Sequence, residues 1–519
     1  MSTSDEISPL LPLSPELLPS QKHNHRRNSF EAGFPLIVSK KLTNVRDSKP
    51  ALTTCALLHL WIGRNCAVPF TLLMSAIGAG TLSVPLTFVL LSPFQALSIL
   101  IFVGMAMAFT ADTLVGIYVV VAMNNISDWR TNRDSYQFLA WKAGGKLMAR
   151  LTGALTAFAV FGACVGCICV VKDMAPIMLS ALIYNFEQKS LEERQLAVKI
   201  AVWAVMLIVL LPLGCLTKIS ALRFSSYLGV AFSIYLVGAV AYRAATESTE
   251  NNRSYAVGTS ESVTKTVAPL FWRISEVVGI YNFAFMLHLN IIPLFAQLVA
   301  AEMARKIKVL NNKLDAFETN KAMVTVLESA QLTMQRHLIL AVGSCVLLYA
   351  IFGLCAVQIY GHETLGNILL NLSNDAIMEV PRVAILLTIL LSFPLLFHPL
   401  RSLMLEIYVT CLSSNPHDES FEEVAIAPPR AVQAIVTISL VVAQVICALR
   451  VPGIHVVFSF VGSSILLMLC YVFPLIFYIR LIPWRTNRKR MIRLALLIFV
   501  CVIATLFCVA ATLQVITST

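Results

Sequence analysis

From residue 67 to the C-terminus, runs of about twenty apolar residues follow one another with only short polar interruptions. A chain of this kind has few folds open to it. In hydrocarbon no water satisfies the backbone, so each run must close its hydrogen bonds internally as a helix. Eleven such runs are predicted, at residues 67–91, 94–123, 151–185, 197–213, 222–242, 276–300, 337–360, 381–409, 431–449, 453–479 and 494–516. The fourth is the shortest. The composition agrees: 58% of the 519 residues are hydrophobic and 13% charged, where soluble domains carry about a quarter charged. The fold class expected is an all-α multi-pass membrane protein of about 11 transmembrane helices.

The net charge of +11 would suggest nucleic acid in a soluble domain, but its distribution argues otherwise. With a cytosolic N-terminus, the tail and alternate loops on that side hold 28 Lys and Arg, and the opposite loops hold 9. This asymmetry is the positive-inside pattern. Basic loops such as Arg485-Thr-Asn-Arg-Lys-Arg490 therefore read as topology signals touching anionic lipid, and the lipid bilayer, not nucleic acid, is the expected partner.

Residues 1–62 are rich in proline and serine and are expected to form a disordered cytosolic tail without a cleavable signal. The domains that follow are residues 63–242 with spans one to five, an outer loop at 243–275, spans six to ten at 276–480, and an eleventh span with a short C-terminus at 481–519. In the tail, Glu6, Leu10 and Leu11 have the spacing of an acidic dileucine sorting signal read by adaptors. Asn252 and Asn371 head glycosylation sequons on the predicted outer face, whereas the sequon at Asn125 falls on the cytosolic side. Residues 301–336 are basic and amphipathic, which predicts a cytosolic helix lying along the membrane. Most of the 13 cysteines lie inside spans, where they serve as small packing residues. The CxxC spacing of Cys164 and Cys167 sits beside Gly162 and Gly166, which points to close helix packing and not to redox or metal chemistry.

Two spans are not simple anchors. The first carries Gly78, Gly80 and Pro85 near its middle. The sixth carries Gly279, Asn282, His288, Asn290 and Pro293. Glycine frees the backbone and proline removes a donor. Gly78 and Gly80 alone also suit close helix packing, but interrupted helices at matching positions in two five-span halves are the sequence mark of a transporter's midplane site. Free N–H groups at the start of a half-helix attract a carboxylate, and free carbonyls at its end attract an ammonium. A zwitterionic amino acid meets both needs. The substrate-binding candidates are Ile77, Gly78, Ala79, Gly80, Thr81, Tyr281, Asn282 and Phe283. His288 and Asp112 are the titratable groups inside spans that suit proton coupling. Each has a structural reading too, as a hydrogen-bonding imidazole and as a carboxylate paired with a neighbouring helix. Lys172 and Asp173 pair with each other or meet a helix end. There is no P-loop, HExxH or GxSxG, and the soluble segments are too short for a catalytic domain, so an enzyme is not expected.

Several segments in order resemble the amino acid/auxin permease family, in particular its sodium-coupled neutral amino acid transporter branch. They are Ser75-Ala-Ile-Gly78-Ala-Gly80-Thr-Leu-Ser-Val-Pro85, Phe161-Gly-Ala-Cys-Val-Gly-Cys167, Pro212-Leu-Gly-Cys-Leu-Thr-Lys-Ile-Ser220, Phe283-Ala-Phe-Met-Leu-His288, Phe393-Pro-Leu-Leu-Phe-His-Pro399-Leu-Arg401 and Gly453-Ile-His-Val-Val-Phe-Ser-Phe-Val-Gly462. The resemblance implies a leucine-transporter-like fold, a 5+5 inverted repeat plus one extra helix, and a secondary active transporter that moves amino acids by alternating access. It implies no cofactor, with H+ or Na+ as the coupling ion. One departure stands out. Sodium-coupled members place an Asn at the position of Met74, and a thioether is a poor ligand for a hard cation. The corresponding cation site here comprises the carbonyls of Met74 and Ile77 with Ser392. The alternative function is an amino acid sensor or transceptor signalling from an endolysosomal membrane. The membrane expected is the plasma membrane or an endolysosomal or vacuolar one. Which amino acid binds is not legible in the residues.

Overall fold

The computed structural model describes residues 67–124, 135–212, 222–250, 268–309, 316–374, 378–412 and 429–518. All regular structure among them is helical. Nine helices there are long and apolar enough to cross a bilayer, or ten when the bent pair Val68–Ala76 and Ala79–Leu90 counts as one span. These correspond to ten of the eleven runs expected from sequence. The remaining one, the short fourth, is a helix at Leu191–Val205 that passes into a π-helical turn at Met206–Leu210. Large apolar side chains such as Phe94, Ile208, Leu340 and Val502 are exposed on the outside, as lipid-facing surfaces require. The candidates Glu6, Leu10, Leu11, Asn125 and Asn252 lie outside the described residues.

One expectation is extended and one needs correction. A helix opens at Tyr136, ahead of the third span, breaks at Gly144 and Gly145, the latter at φ +70°, and resumes into the span that ends at Leu182. Only glycine adopts that conformation without strain, so the pair joins a short capped helix to the long span. The amphipathic stretch 301–336 is not a separate helix on the membrane. Its start extends the sixth span (His288–Val309), and residues from 316 open the 45-residue helix Ala316–Tyr360 of the seventh. The apolar stripe Met323, Val326, Leu327, Ala330 and Met334 is buried. Across the hairpin, Ser329 donates to Glu302 at 2.7 Å and Lys306 donates to Thr325. A helical period of apolar residues fits a protein neighbour as well as a lipid surface, and here the neighbour takes it.

Spans approach closely where glycines face one another. A Cβ on Gly462 of the tenth span would collide with the carbonyl of Gly279 on the sixth. On the third span, Gly162 faces Val461 and Gly166 faces Phe458 of the tenth. Without a hydrophobic drive between helices in lipid, such close contact is what holds them together. Cys164, between these glycines, and Cys167, next to Gly166, are buried free thiols, as the packing reading expects. Lys172 caps the ninth span (Arg430–Arg450), donating to the carbonyls of Ala448 at 3.1 Å and Val451 at 2.6 Å. Asp173 does not pair with Lys172 in a salt bridge; it accepts from Asn367 at 3.1 Å.

Gly462→Ala is expected to lose about 1–3 kcal/mol through overpacking. Gly343→Ala, where nothing lies within 4 Å of the new methyl, should be neutral or stabilising by under about 1 kcal/mol. Thermal unfolding in detergent distinguishes them, and equal midpoints would contradict the glycine contact.

Candidate functional site

The first helix ends at Ala76, and Gly78 leaves it with φ −119° and ψ −155°. A 3-10 turn at Ala79–Ser83 then leads into the helix Val84–Leu90, the two halves bent by 43°. Pro85 sits in the first turn of that second helix, where its missing donor has no consequence. The sixth span breaks likewise: a helix runs Leu270–Ala284, Phe285 departs at φ −101° and ψ 27°, and His288 starts the next. The sequence therefore places both interruptions correctly, five spans apart.

What joins them is not on either span. Tyr349, fully buried on the seventh span, points its hydroxyl at the carbonyl of Ala76 at 2.8 Å and that of Ala284 at 3.1 Å. Each carbonyl belongs to the last residue of a half-helix, where helical partners run out. A single hydroxyl thus serves both breaks. Gly80 completes the junction, because a Cβ there would stand 3.0 Å from Phe283 Cδ1 and 3.2 Å from Ala284 Cα. Nothing in the apolar run around Tyr349 marks it in the sequence; a polar tip within a span was the available signal.

Gly78 is exposed, with nothing within 4 Å of where a Cβ would point, whereas Gly80, Thr81, Leu82 and Ser83 are buried. Thr81 Oγ1 has no hydrogen-bond partner. Three residues before Gly78, Ser75 accepts from the exposed Asn290 at 2.7 Å. On the covered side, Ser83 donates to the Gly366 carbonyl at 2.8 Å, fastening the loop after the seventh span over the first. Asn371 stitches that loop internally: its carbonyl accepts from Leu365 N–H and its amide donates to Glu363.

Of the sixth-span candidates, Phe283 reaches Gly80 and stacks on Phe458 with ring centroids 4.2 Å apart. The Tyr281 and Asn282 side chains are engaged elsewhere. The Tyr281 hydroxyl pairs with Thr87 at 2.7 Å and donates to Ala96 at 3.2 Å. Asn282 accepts from Tyr471 at 2.9 Å and donates toward Gly462 and Cys508. They brace the sixth span against the first, second, tenth and eleventh.

In the cation candidate, Ile77 is buried and Ser392 donates to the Thr388 carbonyl of its own helix at 2.7 Å. The Met74 thioether packs where a Cβ on Gly229 would lie, beside the methyl of Thr388. An apolar group therefore fills the space between first, fifth and eighth spans. Both titratable candidates have partners. His288 Nε2 shares a hydrogen with Thr110 Oγ1 at 2.9 Å, and its Nδ1 is buried without one. Asp112 forms a 2.7 Å ion pair with Arg493 of the eleventh span. Arg493 follows the basic loop that sequence assigned to topology alone.

The sequence profile of the family described as "Transmembrane amino acid transporter protein" matches residues 66–315 and 321–518. A sodium-coupled neutral amino acid transporter 7 from Xenopus laevis is 22% identical over 411 residues, covering 78% of this chain and 77% of the relative. Vacuolar amino acid transporter 5 from Saccharomyces cerevisiae is 23% identical, with 64% of each chain covered. Among solved structures, the manganese transporter of Eremococcus coleocola aligns over 92% of this chain and 91% of its own at 13% identity, with a TM-score of 0.47. With the profile matched across nearly all of its membrane region, the chain belongs to the transmembrane amino acid transporter family.

Proposed function

We propose that this protein carries amino acids across its membrane by alternating access, with the substrate backbone bound at the paired breaks. The observation that carries the reading is the junction at Tyr349, where two half-helix ends meet beside the open face of Gly78. The N–H groups of Ala79 and Gly80 open a helical turn and suit a carboxylate. Carbonyls at the ends of the facing half-helices suit an ammonium. Exposure of Gly78 and Asn290, against burial of residues 80–83, supports a conformation open toward the side of the N-terminal half of the first span. In the orientation expected from the basic loops, that side is cytosolic.

The thioether at Met74 supports sodium-independent transport, with a proton gradient as the alternative drive. Yeast relatives named as vacuolar transporters, together with the dileucine spacing at Glu6, Leu10 and Leu11, support an endolysosomal or vacuolar membrane.

In proteoliposomes, Gly80→Val should abolish amino acid uptake while membrane insertion is retained, because the added side chain drives Phe283 and Ala284 from the first span. Gly78→Ala should keep the unfolding midpoint yet raise KM, since its methyl enters open space beside the proposed carboxylate position. Normal uptake in the first variant, or an unchanged KM in the second, refutes the site. Tyr349→Phe strands the buried Ala284 carbonyl and leaves that of Ala76 with only the Gly78 N–H, and should cost about 1–3 kcal/mol, with at least a roughly tenfold fall in uptake; wild-type stability would remove Tyr349 as the tie between the breaks. Replacing sodium by choline should leave uptake unchanged, and a large loss would restore sodium coupling.

A further inference from the structure

The outer half of the sixth span carries a carboxylate that the transport reading does not use. Glu276 lines a partly open cavity of about 220 Å³ with His455 and Ser459 of the tenth span and Gln514 of the eleventh, and Val456, Ala511 and Val515 complete the lining. Glu276 has neither an ion-pair nor a hydrogen-bond partner among the described residues. The nearest basic residue on its own helix, Arg273, is turned away and donates to the Leu90 carbonyl at 3.0 Å. Two further lining atoms are buried without a partner: Oγ of Ser459, a residue only 1% exposed, and Oε1 of Gln514. Burying the hydroxyl and the amide oxygen unpaired is unfavourable, and both converge with the half-buried Glu276 on one space.

Their chemistry leans toward acceptance. The carboxylate accepts only, the unpaired Gln514 oxygen and Ser459 hydroxyl are free to accept, the Gln514 amide and the His455 ring also carry N–H, and no Lys or Arg lines the space. A complementary occupant carries positive charge and several N–H donors. Glu276 and His455 are two groups of the metal-binding kind, and no cluster of three exists among the described residues, so a transition-metal site is not the better match. We propose that this cavity binds a primary ammonium group, with Glu276 as its counter-ion and Ser459 and Gln514 taking its remaining hydrogens.

This inference goes beyond the transport reading and does not require it. Glu276 lies about 12 Å along the helix from Ala284, at 1.5 Å per residue, and the tenth and eleventh spans supply the other polar groups. The two places nevertheless share a wall. A Cβ on Gly279 would lie 2.8 Å from the Ser459 carbonyl, and the next residue back, Phe458, stacks on Phe283 at the second break. An occupant would therefore rest against the same pair of spans that carries that break.

The test is thermal unfolding of the purified full-length protein titrated with methylammonium chloride, with tetramethylammonium chloride as a cation of equal charge lacking N–H donors. Methylammonium is expected to raise the midpoint saturably and tetramethylammonium to leave it unchanged. Glu276→Gln should weaken the apparent affinity at least about tenfold, the equivalent of about 1.4 kcal/mol. Ser459→Ala and Gln514→Leu should each weaken it severalfold. Equal responses to the two salts, no saturable response, or an unaltered Glu276→Gln titration would overturn the proposal. The Gly80→Val variant separates the two readings: a retained methylammonium response supports a second site whatever the uptake result, and a lost response places the amine at the first break and overturns it. In that variant, competition identifies the source of the ammonium group. Displacement by ammonium chloride alone indicates the free cation, displacement by alanine indicates an amino acid, and failure of both overturns the ammonium assignment.

Discussion

The arrangement of this protein hangs on the hydroxyl of Tyr349. Breaking a helix inside a bilayer leaves carbonyls that lipid cannot satisfy and the local backbone satisfies only in part. The chain breaks two helices, at Ala76 and at Ala284, and brings both open ends to one phenolic donor on a third span. Gly80 lets the two breaks come within contact, and Phe283 fills the space it leaves.

Around this junction the scaffold is built from close glycine contacts and buried polar ties. The sixth and tenth spans meet through Gly279 and Gly462, and the third and tenth through Gly162 and Gly166. Tyr281 and Asn282 stand next to the second break, yet their side chains hold neighbouring helices. Tyr136 similarly donates at 2.6 Å to the carbonyl of Leu469, within the π-helical turn Met468–Val472 of the tenth span. A turn of that kind loosens the regular ladder, and a phenol from the third span takes up the oxygen. Polar side chains beside the breaks thus include some that only tie neighbouring helices together, and residue type alone does not mark them.

Much of the plan was legible along the chain. Hydropathy marks the spans, because each must satisfy its own backbone, and Gly78, Gly80, Pro85 and the Gly279–Pro293 stretch mark the two interruptions. Less was legible where two readings share one pattern. The amphipathic period of residues 316–336 suits lipid or protein equally, and the structure gives it to the hairpin with residues 301–309. Asp112 suits proton coupling or a pair with a neighbouring helix equally on sequence, and the structure gives it Arg493, 381 positions away in the chain.

The amino-acid sequence by itself determined a multi-span helical protein with two matched breaks and the balance of basic loops. These are properties of local composition and spacing, which lipid reads one helix at a time. Only the tertiary structure decided which groups meet: Tyr349 with both half-helix ends, Asp112 with Arg493, the Met74 thioether against Gly229, and Glu276 with the unpaired polar atoms of two other spans. Such contacts join residues far apart in the chain, and their partners are set by how helices pack side by side, which periodicity along one helix does not encode.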